Sequence, residues 1–152
     1  MELTSAGPHV SVYLLTMNLP AGIFALAIPY AANWFAGWGG ILAAFVTGAA
    51  LGLRFHDETF LGGYASFRRR MLRLGHIALA ALGMMNVLFA LSAPHVGERF
   101  VNAASVCFIG GGLLMPLVCF LAAWRKGLRH LFALPVLALA AAVVLVLCGG
   151  LR

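Results

Sequence analysis

The chain has 152 residues, 63% of them hydrophobic and 9% charged, whereas a soluble domain carries roughly 25% charged residues. A soluble fold of this composition would expose one continuous apolar surface. The net charge of +6 comes from basic residues set between apolar stretches, the pattern of loops at a membrane surface, which argues against nucleic-acid binding. A soluble catalytic domain is thereby excluded. The expectation is an all-α integral membrane bundle of about five transmembrane helices, a single domain over 1–152 with its N-terminus cytoplasmic, in a bacterial inner (plasma) membrane.

The first apolar run, 10–32, is long enough to cross roughly 30 Å of hydrocarbon at 1.5 Å per residue. The nine residues before it lack the basic start of a signal peptide, so it is expected to be a retained helix. It contains Asn18, Pro20 and Pro29. Pro20 should bend it, and a re-entrant segment is the alternative. Residues 33–37 follow as a short connection. Tyr30, Trp34 and Trp38 surround it, and such aromatic residues favour the headgroup level.

The second span is expected over 38–55. Ala36, Gly40, Ala44, Gly48 and Gly52 recur every fourth residue, a small-residue face that would let another helix approach closely. The longest polar stretch, 54–73, holds Arg54, Arg68, Arg69, Arg70 and Arg73 with Asp57 and Glu58, and Gly62 and Gly63 mark a turn in its middle. The third span is expected over 71–92, ended by Pro94 and Gly97. The fourth covers 100–124, with glycines at 110, 111 and 112 and with Pro116 beyond. A basic turn leads to the fifth, 131–149. Alternation of five spans places Arg54, Arg68, Arg69, Arg70, Arg73, Arg125, Lys126 and Arg129 on one side and Arg99 and Arg152 on the other. The richer side is then cytoplasmic.

His76 is the leading candidate for chemistry. It lies about one turn inside the third span and shares a helical sector with Arg69, Arg73, Gly83 and, less closely, Asn86. A membrane histidine can ligate haem iron or relay a proton near a quinone, and Gly83 would leave room for a flat ring. His56, on the same side, could supply a second axial ligand, while Arg54 and Arg73 could meet haem propionates. His76, His56, Arg73 and Arg54 are therefore the candidate cofactor-binding residues, with haem b or a quinone as the cofactor. The two histidines would be metal ligands only if haem is bound. A hydrogen-bonded structural histidine is the competing reading of His76. Asn18, Asn86, Gly40, Gly48, Gly52 and Gly83 are expected to serve packing. An asparagine in hydrocarbon needs a partner on another helix.

The motifs of nucleotide-binding loops, zinc proteases and c-type haem attachment do not occur in the sequence. The three cysteines form no CxxC, and Met84, Met85 and Met115 have no copper-binding spacing. No acidic residue lies within an expected span, which argues against a transporter built on a buried carboxylate. The leading reading is a small accessory subunit of a membrane electron-transfer (respiratory) complex. Its expected partners are other membrane subunits or itself, with anionic lipid headgroups on the cytoplasmic side. The alternatives are a homo-oligomeric transporter or channel, and a cofactor-free assembly or scaffold protein.

Overall fold

A computed structural model describes residues 30–54 and 56–150. Most of the first expected span, including Asn18, Pro20 and Pro29, lies outside the described residues. Among those described the protein is all-helical, and four helices are long and apolar enough to cross a membrane. They are α1 (Ala31–Gly52), α2 (Phe67–Ser92), α3 (Glu98–Trp124) and α4 (Ala133–Gly149).

Local chemistry sets the ends of these helices. Tyr30 precedes α1 in the left-handed conformation, φ 62° and ψ 45°, an uncommon backbone for an aromatic residue. α1 then runs unbroken through 33–37, which had been expected as an interfacial connection. The hydrogen bonds made by Asn33, described below, account for the difference. α2 also begins earlier than expected, because the Ser66 hydroxyl accepts from the Arg69 backbone N–H at 3.2 Å and caps its first turn. Pro94 opens the short 3₁₀ turn Ala93–His95 beyond α2. Glu98 complements the N-terminal dipole of α3. Pro116 sits inside that helix without ending it, as neighbouring helices in a bilayer allow. A 3₁₀ segment, Lys126–Phe132, leads into α4.

Each helix packs on the next in sequence, and α1 also touches α3. α3 is the most enclosed. α1 and α4 form the flanks and display Phe35, Leu42 and Phe45, and Leu137, Val144 and Leu147, on their outer faces. In lipid, close packing of backbones replaces the hydrophobic effect between helices, and α1 and α2 show it directly. A Cβ on Gly83 would lie 2.7 Å from the Gly37 carbonyl oxygen, and one on Gly37 would lie 2.7 Å from that of Gly83. Gly40, Ala44 and Gly48 continue the α1 face. Gly52 does not, since a Cβ there meets nothing within 4 Å.

The apolar core gathers Phe89, Ala93, Val96, Val101, Ala104, Phe108 and Ala142 where α2 turns into α3. Tyr30 meets Phe89 edge-on at 5.7 Å, and Phe89 lies 5.0 Å from Phe108. The opposite end of the bundle carries the basic segments. There the Lys126 ammonium sits 6.0 Å from the Phe67 ring centroid, which ties the α3–α4 turn to the start of α2.

Candidate functional site

Among the described residues, two polar centres lie within the bundle. The deeper one joins α1, α2 and α3 through Asn33, Asn86 and Ser105, which are 0%, 3% and 8% exposed. The Asn33 amide Nδ2 donates to Asn86 Oδ1 at 2.9 Å and to the Ser105 carbonyl at 3.3 Å. Ser105 Oγ donates to Asn33 Oδ1. Asn86 Nδ2 donates to the Leu82 and Phe108 carbonyls at 3.0 and 3.2 Å. Gly112 makes room for that amide, for a Cβ there would stand 2.8 Å from Asn86 Nδ2. No buried side-chain nitrogen or oxygen among the described residues lacks a partner. Among the described residues the cluster satisfies its side-chain polar atoms internally and on the Leu82, Ser105 and Phe108 carbonyls. Near it, Tyr30 Oη donates to Asn102 Oδ1 at 3.0 Å.

The second centre is His76. Thr47 Oγ1 donates to the Ala43 carbonyl at 2.8 Å, with the Ala44 carbonyl at 3.1 Å. The same hydroxyl lies 3.2 Å from His76 Nδ1, a contact whose donor is set by the imidazole tautomer. The ring lies against Gly48, where a Cβ would come within 2.7 Å of Cε1. The space over Gly83, expected to admit a flat cofactor, is filled by the α1 backbone at Gly37 and Ile41.

Of the other candidate ligands, Arg54 and His56 lie on the segment between α1 and α2, and Arg73 lies in the second turn of α2. Arg73 Nη2 donates to the Tyr64 carbonyl at 3.3 Å, and its guanidinium stands 4.3 Å from the Tyr64 ring centroid. The Arg54 guanidinium stands 5.9 Å from the Phe60 ring. His56 is exposed. None of these three hydrogen-bonds to His76. Arg69, only 5% exposed, donates to the Asp57 carbonyl at 3.4 Å and lies 5.5 Å from the Tyr64 ring. Arg69 and Arg73 thus fasten the connecting segment to α2. The Asp57 carboxylate accepts from Thr59 Oγ1 at 2.7 Å and from the Thr59 backbone N–H at 2.9 Å. These bonds hold its pKa below the ordinary value of 3.8. Among the described residues no cluster of three or more His, Cys, Asp or Glu is placed to hold a metal ion.

Sequence reasoning missed Asn33 as an interior residue. A signal was available, because Asn33, Gly37, Gly40, Ala44 and Gly48 follow helical spacing. Extending the small-residue face toward the N-terminus would have put Asn33 on it. No protein-family model, curated protein or solved structure matches the chain.

Proposed function

We propose that the chain is a small accessory subunit of a membrane complex, acting through lateral helix contacts with other membrane subunits. The observation that carries this reading is the division of its surfaces. The interior polar side chains spend their hydrogen bonds on one another across α1, α2 and α3, while the flanks α1 and α4 present broad apolar faces. A closed polar cluster suits a rigid packing partner better than a conducting path. Within this class we favour an electron-transfer complex. The supporting feature is the partly exposed His76 imidazole, a group able to exchange a proton or a hydrogen bond with a reduced quinone held by a neighbouring subunit. We also propose that the basic end faces the cytoplasm, by the charge asymmetry of the loops.

The test is extraction from native membranes in a mild detergent, followed by native mass, subunit composition and optical spectrum. Migration with larger membrane subunits in fixed stoichiometry, with redox absorbance, supports the reading. A complex without redox groups would leave the scaffold alternative. A homo-oligomer that moves solutes across liposomes would replace both.

A further inference from the structure

The basic end carries a lateral groove between α1 and α3, floored by α2 and lined by Thr47, Ala50, Leu51, Leu72, Phe120 and Trp124, with a volume of about 270 Å³. Its walls are apolar apart from Thr47, whose hydroxyl donates to the carbonyls of its own helix. Toward the end of the bundle it meets a smaller cleft that shares Leu72 and Trp124 and is walled by Leu61, Ala123 and Arg68. Arg68 is exposed, makes no hydrogen bond or ion pair among the described residues, and lines the cleft that adjoins the apolar groove. Arg125 follows Trp124 directly, and Lys126 lies over Phe67 on the same end. The nearby Asp57 carboxylate is already engaged by Thr59.

We propose that this groove is a binding site for one anionic glycerophospholipid, with an acyl chain along Leu51, Leu72 and Phe120 and the phosphate at Arg68. Charge selects both the groove and the occupant. A larger lateral groove of about 380 Å³, bordered by Met85, Leu88, Phe108 and Val146, has no charged residue in its lining and offers nothing to a headgroup. A neutral quinone would leave Arg68 unused. A second copy of the chain would bring a further net charge of +6 to a face that is already basic. An anionic lipid satisfies the apolar walls and the guanidinium together. Trp124, 63% exposed, stands at the mouth, at the depth where an indole favours the bilayer interface. The inference requires only membrane insertion and is independent of the accessory-subunit reading.

The test uses Trp124 as the reporter. In a chain carrying Trp34→Phe and Trp38→Phe, its fluorescence is measured in phosphatidylcholine vesicles containing a minor fraction of phosphatidylglycerol. The acyl chains of one lipid or the other are brominated to quench the indole. Brominated phosphatidylglycerol is expected to quench beyond its mole fraction. Arg68→Gln should lower that preference about fivefold, the effect of one basic side chain near the surface. Arg70→Gln, which lines neither cleft, should leave it unchanged. Ala50→Phe, at an exposed groove position, should reduce quenching by filling the channel while α1 stays folded. Equal quenching by the two lipids would overturn the site in favour of ordinary annular lipid. Equal losses in the Arg68 and Arg70 variants would overturn it in favour of diffuse surface charge.

Discussion

Replacing Asn33 with Leu tests the interior clasp most directly. Leucine is close to asparagine in size and is at home in a bilayer, so hydropathy alone would rank the change as favourable. The structure ranks it otherwise. Asn33 is fully buried, and its side chain bonds to Asn86 on α2 and to Ser105 on α3. Interhelical hydrogen bonds in membrane proteins average about 0.6 kcal/mol and reach about 1.7, so the three that Asn33 makes amount to roughly 2–5 kcal/mol. The substitution also leaves Asn86 Oδ1 without its donor, which pushes the loss toward the upper part of that range. The assay is reversible unfolding in mixed micelles, followed by the fluorescence of Trp34 and Trp38, which pack edge-on at 5.8 Å one turn away. Asn33→Leu should destabilise by about 4 kcal/mol. The double variant Asn33→Leu/Asn86→Leu should lose less than the sum of the two singles, because each single already breaks the shared bond. A neutral or stabilising Asn33→Leu, or strict additivity, would refute the clasp.

Four further outcomes follow from the same geometry. Gly83→Leu should damage folding more than Gly48→Leu, since the first drives a side chain into backbone at 2.7 Å and the second into a histidine ring; Gly52→Leu and Leu42→Phe should be near neutral, all read as the yield of folded protein in detergent. His76→Ala should cost about 0.6 kcal/mol for the lost contact with Thr47, and His76→Asn should restore stability; under the electron-transfer reading we propose, turnover should stay lost in the Asn variant, and normal turnover would leave His76 a structural residue. Because the Asp57 pKa is depressed, its contribution to stability is complete above 3.8 and is lost as pH falls below that value through the lower folded pKa; a carboxyl-carbon NMR titration should show the midpoint rising in Thr59→Val. In a background without native cysteines, a cysteine at Ala65 or Gly127 should be labelled only from the cytoplasmic side and one at Glu98 only from the other, and labelling of Ala65 and Glu98 from the same side would end the orientation we propose.

Apolar length was the most legible property of the sequence, because a bilayer demands continuous hydrogen-bonded helices of sufficient span. The segments ending in α2, α3 and α4 could be located to within a few residues on that basis. The start of α1 could not. Tyr30, Asn33, Trp34 and Trp38 have the composition of a headgroup-level turn, and only partners on two other helices turn Asn33 into an interior residue. Those partners are set by which faces meet, information that is spread over residues 53 and 72 positions apart. The glycines show the same limit. Every fourth position was small from Ala36 to Gly52, yet the closest backbone approach runs through Gly37 and Gly83, and Gly52 lies beyond it. His76 was legible as a polar residue in need of a partner. The identity of that partner, Thr47, depended on the register of α1 against α2.

The clasp gives the order of synthesis a physical meaning. α1 leaves the ribosome first among the described helices, yet the partners of its buried amide lie on α2 and α3. Until α3 has emerged, Asn33 must either stay near the insertion machinery or sit in lipid without its full set of bonds, at a cost of about 1–3 kcal/mol. α4, the most apolar of the four, has no comparable debt and can partition as soon as it is made. The full set of bonds to Asn33 therefore forms only once the third described helix is in place. A nascent chain that stalls before Ser105 would present an unsatisfied asparagine to the hydrocarbon, a mark by which quality-control proteases could tell an unfinished copy from a finished one.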